Sequence, residues 1–354
     1  MKIITIVGAR PQFIKAAAVS RAFSNYSEIE EIIIHTGQHF DANMSDIFFE
    51  EMQIPKPHYN LDINGLGHGA MTGQMLEKVE KVLLDEKPDW VLVFGDTNST
   101  LAGALAASKL HINIAHVEAG LRSFNIKMPE EVNRILTDRI STILFCPTQT
   151  AIDNLNIEGY KNIDIKVSLS GDVMQDAAIF YADKSRKPDF DIPSNFVLAT
   201  IHRAENTDDL QRLKSIIDAF HKIGEKDPVI LPLHPRTLNI IDKNNIEIDK
   251  SKIKLIKPVG YLEMVYLLQN CKLVMTDSGG LQKEAFFFEK PCITLRDETE
   301  WVELISNGFN TIVGAHKDRI IKAYKEQKFD LDFSKDLYGG GNAADNIAKE
   351  LLAF

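Results

Sequence analysis

Cysteine is scarce in this chain of 354 residues, which contains only Cys146, Cys271 and Cys292, far apart in the sequence. An odd number without a Cys-x-x-Cys pair provides neither a disulfide framework nor a zinc cluster, so we expect buried free thiols in a reducing compartment. Basic residues are fewer than acidic ones, because 40 Lys and Arg against 50 Asp and Glu give a net charge of −10. This balance disfavours a nucleic-acid partner but still permits a small anionic ligand in a local pocket.

Long hydrophobic runs are absent as well. Residues 3–7 form an apolar stretch too short for a signal peptide, and no segment approaches the about 18 apolar residues of a membrane span. We therefore expect a cytoplasmic protein with no membrane partner. The sequence also lacks a Gly-x-Gly-x-x-Gly fingerprint, a Walker motif and the spacing of metal ligands, so we expect no cofactor and no metal.

The chain does contain a regular alternation of short apolar runs and amphipathic stretches. This alternation predicts parallel sheets covered by helices on both faces, in two doubly wound α/β domains. Residues 183–194 are charged, contain two prolines and lack apolar periodicity, so we interpret them as a linker about which the domains move. The predicted strands are residues 3–7, 32–35, 90–94, 112–117 and 143–146 in the first domain, and 196–201, 229–233, 253–256, 273–276, 292–295 and 311–313 in the second.

Ligands of open α/β sheets bind beyond the carboxyl ends of the strands, so residues that follow a strand are candidate site residues. Arg10 follows the first strand at a predicted helix N-terminus, where backbone amides and a guanidinium favour an anion. A surface arginine beside an ordinary turn is the alternative. Asp96 follows the strand at 90–94, either as an N-cap or as a site residue, and Glu118 follows the next strand.

A third acidic position follows shortly after these two. Glu130 comes after Pro129 at a predicted helix start, where an acid also suits the helix dipole. Arg134 is spaced to pair with an acid one turn earlier. Because Asp96, Glu118 and Glu130 would reach one sheet edge, their charges would push their pKa values apart, as acid–base chemistry requires.

The second domain shows the same placement of polar residues after strands. His202 follows the strand at 196–201 and is a candidate proton carrier beside an arginine, with a solvated loop as the alternative. His234 follows the next strand. The segment 276–284 delivers a hydroxyl and two glycines to a helix N-terminus, which predicts a phosphate cradle of backbone amides with a carboxylate one turn later for ribose hydroxyls. The candidate residues there are Ser278, Gly279, Gly280 and Glu284.

These motifs occur in one order along essentially the whole chain, and together they resemble the bacterial non-hydrolysing UDP-N-acetylglucosamine 2-epimerase family. One such motif alone would be weak, but all of them in register make a chance match improbable. The motifs are Gly-x-Arg-Pro, Gly37-Gln38-His39, Gly95-Asp96-Thr97, His116-Val117-Glu118-Ala119-Gly120-Leu121-Arg122, Pro129-Glu130-Glu131-x-Asn133-Arg134, His202-Arg203-x-Glu205-Asn206 and Thr276-Asp277-Ser278-Gly279-Gly280-x-Gln282-x-Glu284.

The resemblance implies a GT-B architecture of two Rossmann-like domains with the active site between them. We accordingly expect domains at residues 1–182 and 195–338, and a C-terminal segment at 339–354 whose helix returns to the first domain. It also implies an isomerase without a cofactor, a homodimer, and a role in making polysaccharide precursors such as those of lipopolysaccharide or capsule. In this family UDP is eliminated across C-1 and C-2 to give 2-acetamidoglucal, and is then added back with the other configuration at C-2.

Roles for particular residues follow from the same resemblance. Proton transfer, or stabilisation of the cationic anomeric centre, falls to one set, and the choice of base and acid within it stays open. A second set binds the UDP-sugar, and Arg134 orders the carboxylates or the sugar. The first set is Asp96, Glu118, Glu130 and His202. The second is Arg10, Ser278, Gly279 and Gly280, which hold the diphosphate together with His202, then Glu284 at the ribose, and His234 as a further substrate-binding residue.

Departures from the family pattern leave the substrate open. The usual Gly-Thr-Arg-Pro-Glu is Gly-Ala-Arg-Pro-Gln here, and Phe40 and Asp41 follow His39 where activator-binding members have arginine. The first reading is conversion of UDP-GlcNAc to UDP-ManNAc. The same inversion on UDP-2,3-diacetamido-2,3-dideoxyglucuronate is an alternative, because the loop before Pro129 is short. A hydrolysing epimerase that releases ManNAc, a GT-B glycosyltransferase and a nucleotide-sugar sensor are further alternatives.

Overall fold

A computed structural model of the protein describes residues 1–38, 49 and 53–354. The described chain divides into two compact units, one formed by Met1–Ala177 with Asp336–Phe354 (unit 1) and the other by Ala178–Lys335 (unit 2). Within the described residues, none of the helices combines the length and the apolar character needed to cross a membrane. All three cysteines are buried and free.

Unit 1 contains a parallel sheet of seven strands in the order β3-β2-β1-β4-β5-β6-β7. The central strand β4 is buried along its whole length, as expected for a sheet with helices on both faces. The strands are β1 (Lys2–Val7), β2 (Glu30–His35), β3 (Tyr59–Asn60), β4 (Trp90–Phe94), β5 (Asn113–Val117), β6 (Ile143–Cys146) and β7 (Lys166–Leu169). Its helices are α1 (Arg10–Phe23), α2 (His68–Glu86), α3 (Asn98–Lys109), α4 (Pro129–Ile140) and α5 (Gln149–Ile157).

Unit 2 contains a parallel sheet of six strands in the order β10-β9-β8-β11-β12-β13. Its core is built from apolar residues of β8, β9 and β11 and of the helices that cover them. The strands are β8 (Val197–Thr200), β9 (Val229–Pro232), β10 (Ile253–Ile256), β11 (Leu273–Thr276), β12 (Cys292–Thr294) and β13 (Asn310–Ile312). The helices are α7 (Ala204–Thr207), α8 (Leu210–Gly224), α9 (Pro235–Lys243), α10 (Tyr261–Asn270), α11 (Gly279–Phe287), α12 (Val302–Ser306) and α13 (Lys317–Glu326).

The segment predicted as a linker, residues 183–194, lies inside unit 2. The amide of Arg186 donates to the carbonyl of Leu262 at 3.1 Å, and Phe190 packs against the core of unit 2. The chain passes from unit 1 to unit 2 within helix α6 (Val173–Ala182), after Ala177. These backbone and apolar contacts explain why a charged, proline-containing segment is not a free connection.

The C-terminal helix α14 (Ala343–Leu352) belongs to unit 1, as predicted. The carboxylate of Asp176 accepts hydrogen bonds from the first two amides of α14 at 3.2 and 2.9 Å, which satisfies donors that a helix N-terminus leaves unpaired. The hydroxyl of Tyr26 donates to Asp345 at 2.6 Å. The last helix of the chain is therefore tied to the first unit by polar contacts as well as by its buried face.

Candidate active site

The carboxyl ends of β1, β4 and β5 lie side by side in unit 1, because these strands are neighbours in the sheet. Asp96 follows β4, and its Oδ2 accepts a hydrogen bond from Nη2 of Arg134 at 2.6 Å. The N-cap of α3 is Thr97, whose hydroxyl accepts from the amide of Thr100, so the alternative in which Asp96 caps this helix is wrong. The side chain of Asp96 is consequently available for a ligand.

The ionisation of Asp96 is perturbed by its surroundings. Burial raises the pKa of Asp96, the nearby Glu118 raises it further, and the charges of Arg134 and Lys15 oppose these effects without cancelling them. A carboxyl group whose pKa lies above the ordinary range is suited to exchange protons near neutral pH.

Glu118 follows β5 and faces a lysine of the first helix. Its Oε2 forms an ion pair with Nζ of Lys15, and both side chains are largely buried. The backbone of Glu118 is left-handed, with φ of +69°, a conformation that costs free energy for a residue other than glycine and occurs often at functional sites. The sequence analysis did not identify Lys15. The available signal was a single cation, three residues after Gln12, within a helix whose other residues are mostly buried.

Glu130 and Asp96 line the same cavity of about 250 Å³, together with Lys15, Asn98 and Asn133. Glu130 is exposed in the first turn of α4, whereas its neighbour Glu131 is buried. The structure thus brings together Asp96, Glu118 and Glu130, the three acids expected at one sheet edge, and it places Arg134 against Asp96.

Glu131 has a different task from Glu130. It accepts from the amides of Ser123 and Phe124 at 3.0 and 2.9 Å and from Arg134 at 2.7 Å. Burial alone would raise the pKa of Glu131, but these hydrogen bonds outweigh burial and hold it below the ordinary value. Glu131 therefore anchors Arg134 and the loop before α4 rather than exchanging protons.

Arg10 is the first residue of α1 and is half-buried. Gln12, two residues later, joins this turn to the end of β4, because its oxygen accepts from the amide of Gly8 at 2.8 Å and its amide donates to the carbonyl of Phe94 at 2.8 Å. A Cβ on Gly8 would lie 2.0 Å from Oγ of Ser99. Glycine is thus required at position 8 by close packing, and Gln12 fixes the turn that carries Arg10.

The activator interpretation depends on His39, Phe40 and Asp41, which lie outside the described residues. Gln38 is described, and its Oε1 accepts from the amide and the hydroxyl of Ser99 at 3.0 and 2.7 Å. Gln38 also lines the cavity that contains Asp96.

A second cluster lies at the carboxyl ends of β8 and β11, which are neighbours in the sheet of unit 2. Nδ1 of His202 lies 3.1 Å from Oδ1 of the fully buried Asp277, while the imidazole is half exposed. The amides of His202 and Arg203 also donate to this carboxylate. Burial alone would raise the pKa of Asp277, but hydrogen bonds from His202, Asn206 and the Arg203 amide hold it below the ordinary value. The Asp277 carboxylate therefore fixes the orientation of the His202 imidazole through Nδ1.

The predicted phosphate cradle forms the N-terminus of α11. The hydroxyl oxygen of Ser278 caps this helix by accepting from the amide of Leu281 at 3.4 Å. A Cβ on Gly279 would lie 2.5 Å from Oε1 of Glu300, whereas a Cβ on Gly280 would meet nothing closer than 4.0 Å. Gly279 therefore lies against the Glu300 carboxylate, and Gly280 leaves space at the N-terminus of α11.

Glu284 is buried one turn into α11. His234, the remaining candidate, is the exposed N-cap of α9, and its Nδ1 accepts from the amide of Arg236 at 3.2 Å. His202 follows β8, and the neighbouring strand β11 leads into α11, which carries Ser278 as its N-cap and contains Gly280 and Glu284. His234 follows the adjacent strand β9.

A network of ion pairs, buried at Arg122, Asp138 and His116 and exposed at Glu158, lies next to the carboxylates of unit 1. Nη1 of Arg122 lies 2.7 Å from Oδ2 of Asp138, and its Nε lies 2.7 Å from Oε1 of Glu158. The other oxygen of Asp138 lies 2.7 Å from Nδ1 of His116. Sequence reasoning assigned no role to Asp138, because an acid near the end of a helix indicates nothing by itself.

Comparison with known proteins decides the family. The family model described as UDP-N-acetylglucosamine 2-epimerase matches residues 21–352. The chain therefore belongs to the UDP-N-acetylglucosamine 2-epimerase family. Among relatives of this epimerase family is the UDP-2,3-diacetamido-2,3-dideoxy-D-glucuronate 2-epimerase of Pseudomonas aeruginosa, 58% identical over 354 residues and covering 99% of both chains.

Solved structures of the 2-epimerase family agree with this assignment. The Methanocaldococcus jannaschii UDP-GlcNAc 2-epimerase in complex with UDP-GlcNAc and UDP has a TM-score of 0.90 at 44% identity, with 100% of both chains covered. The Neisseria meningitidis UDP-GlcNAc 2-epimerase bound to UDP-GlcNAc has a TM-score of 0.88 at 31% identity, again over 100% of both chains. The GT-B fold and the sugar-nucleotide epimerase class predicted from the motifs are thereby confirmed, and members of this class are isomerases.

Proposed function

We propose that this epimerase inverts C-2 of a UDP-2-acetamido sugar by eliminating UDP across C-1 and C-2 and adding it back. The observation that carries the proposal is the pair of carboxylates, Asp96 and Glu118, placed at neighbouring strand ends with Arg134 and Lys15 as counter-charges. The C-2 proton is not flanked by a carbonyl, so its removal requires a positioned base and a departing diphosphate that is strongly bound.

The proposal divides the work between the two units. In unit 1, Asp96, Glu118 and Glu130 exchange protons or stabilise the cationic anomeric centre, and Arg134 holds Asp96. In unit 2, His202 acts with the open N-terminus of α11 on the diphosphate, and Glu284 accepts from the ribose hydroxyls. The remaining diphosphate ligands in the proposal are Ser278, Gly279 and Gly280 of unit 2 and Arg10 of unit 1, and His234 is a further substrate-binding residue.

Two UDP-sugars are candidate substrates. Identity of 58% to a UDP-2,3-diacetamido-2,3-dideoxy-D-glucuronate 2-epimerase exceeds the 45% and 44% to UDP-GlcNAc 2-epimerases of Methanocaldococcus jannaschii and Methanococcus maripaludis. This difference favours the diacetamidoglucuronate over UDP-GlcNAc, although the inversion at C-2 is common to both. A homodimer in the cytoplasm stays a prediction from the family resemblance, and light scattering tests the dimer.

The reaction itself is tested by isotope incorporation. We expect that each UDP-sugar accepted by the protein in deuterated water acquires deuterium at C-2 and interconverts with its C-2 epimer, without added NAD or metal. NMR of the sugar ring protons measures both the label and the configuration. Free ManNAc and UDP as final products would show a hydrolysing enzyme instead, and a requirement for NAD would contradict the elimination pathway.

The ribose contact is tested by Glu284→Ala. Removing a buried acceptor from paired ribose hydroxyls costs about 1–3 kcal/mol, so UDP affinity should fall by roughly ten- to a hundredfold. Calorimetric titration with UDP measures the change. Glu247→Ala, which alters an exposed acid of the same unit, is the matched control and should bind UDP like the original chain. Unchanged UDP affinity in Glu284→Ala would remove Glu284 from the proposed site.

A further inference from the structure

His116 belongs to the strand-end motif that ends in Glu118, yet the proposed reaction gives it no role. The imidazole is fully buried in β5. Its Nε2 lies 2.7 Å from the carbonyl oxygen of Gly95, and its Nδ1 lies 2.7 Å from Oδ1 of Asp138. Both ring nitrogens therefore face oxygen acceptors, which restricts where the ring protons can be.

The partners of His116 assign a proton to each ring nitrogen. A carbonyl oxygen can only accept, so Nε2 must donate to Gly95. The other carboxylate oxygen of Asp138 accepts from the Gly120 amide at 3.2 Å and lies 2.7 Å from Nη1 of Arg122. Burial alone would raise the pKa of Asp138, but His116 and Arg122 hold it below the ordinary value. An ionised Asp138 accepts from Nδ1, so the ring donates at both ends.

Gly95 is held on its other side as well. Its amide donates to the carbonyl of Val117 at 3.0 Å, and its φ of +62° lies in the left-handed region. The carbonyl that His116 holds belongs to the peptide bond leading into Asp96. A Cβ on Gly95 would lie 3.2 Å from Oε2 of Glu118, so Gly95 itself lies close to that carboxylate. Because Asp96 is the next residue, rotation of the Gly95–Asp96 peptide would change the position of Asp96 relative to Glu118.

We infer that His116 is a positioning residue that clamps the peptide bond between Gly95 and Asp96 through Nε2 and is itself held by Asp138 through Nδ1. The inference rests on the proposed function, because Asp96 and Glu118 are its proton-transferring groups. The clamp keeps these two carboxylates in register with each other, and displacements of about 1 Å at reacting groups can cost a hundredfold in rate.

Two substitutions separate the two hydrogen bonds of the ring. The amide nitrogen of glutamine takes the approximate place of Nε2, and that of asparagine takes the place of Nδ1. We expect His116→Gln to retain kcat within about tenfold, because it still donates to Gly95. His116→Asn should lower kcat about a hundredfold, because Gly95 loses its donor. In both variants KM and UDP affinity should change by less than about threefold, since His116 contacts none of the proposed UDP ligands.

A merely structural role predicts a different pattern. In that case the two variants lose thermal stability but have equal kcat at a temperature where both are folded, and this result would overturn the inference. A decrease of kcat/KM in His116→Asn that came from a higher KM, with kcat unchanged, would also overturn the inference. If the wild-type chain does not epimerise either UDP-sugar, the proposed function fails. That result differs from equal kcat values in the two His116 variants, which would overturn only the inference about His116.

A measurement on the unaltered protein tests the proton arrangement without any variant. Histidine labelled with ¹⁵N should show one ring with protons on both nitrogens, protected from solvent exchange because His116 is fully buried. His116→Gln removes this signal and so assigns it. A single ring N–H on His116 would overturn the clamp, and it would do so whether or not the variants fold.

Discussion

Asp96→Asn should lower turnover by about 10²–10⁴-fold, the usual range for loss of a general acid or base. Asparagine keeps the shape of aspartate but cannot accept the substrate proton. UDP affinity should stay within a few-fold, because the substitution alters none of the proposed diphosphate and ribose ligands, which apart from Arg10 lie in unit 2. Glu118→Gln should have the same signature, and in addition it removes one of the charges that raise the pKa of Asp96. Deuterium wash-in at C-2 measures the chemical step, and calorimetry measures UDP binding.

The control for this experiment is Asp85→Asn, which removes the same charge from an exposed position in α2. It should leave both turnover and UDP affinity unchanged. Loss of UDP binding in Asp96→Asn equal to the loss in Glu284→Ala would contradict the division of work between the units. Wild-type turnover in Asp96→Asn would remove Asp96 from the proton-transfer step.

Arg122→Met should lower the free energy of unfolding by about 3–5 kcal/mol, the usual cost of breaking a buried ion pair by removing one partner. Asp138 is fully buried, and Arg122 is its closest guanidinium at 2.7 Å. Methionine preserves much of the side-chain length, so the loss reports the missing charge and hydrogen bonds more than a cavity. Urea unfolding monitored by circular dichroism gives the free energy.

The pH dependence of this loss has a defined sign. In the original chain the pKa of Asp138 lies below its ordinary value, so its contribution to stability is present above about pH 4 and is lost as pH falls further. In Arg122→Met the carboxylate loses one cation and its pKa should rise. The difference in stability between the two chains should therefore shrink as pH falls from 7 towards 4. A difference independent of pH would mean that the charge of Asp138 is not responsible.

An exposed ion pair of the same unit provides the control. Lys349 pairs with Asp345 at 2.6 Å on α14, and the lysine side chain is 64% exposed. Lys349→Met should leave the unfolding midpoint unchanged, because solvent screens exposed pairs. A midpoint that falls as far as in Arg122→Met would attribute the loss to the new methionine rather than to burial.

The sequence predicted the parts of the fold that are buried on both faces. Strand β4 was recovered with its observed bounds because all five of its residues are apolar and buried. Strand β7 was missed because it is a half-exposed edge strand with lysine and serine, where alternation is weak. Strand β3 has only two residues, which is too short for any periodic signal.

The candidate site was predictable only where residues follow strands. Asp96 and Glu118 were found in this way, because the ends of parallel strands converge on one edge. Lys15 and Asp138 were not found, because each acts through a residue distant in the sequence. Lys15 contacts Glu118, 103 residues away, and Asp138 contacts His116, 22 residues away. Such contacts depend on the three-dimensional packing of helices on the sheet, which single-sequence patterns do not encode.

The place of α14 in unit 1 has a consequence for synthesis of the chain. Unit 1 consists of Met1–Ala177 and Asp336–Phe354, so it lacks helix α14 until all of unit 2 has been synthesised. Unit 2 is complete first, although it comes second in the sequence. At about 5–20 residues per second, the ribosome takes roughly 10–35 seconds to make residues 178–354. During this time the surface of α1 that α14 later covers is accessible to chaperones.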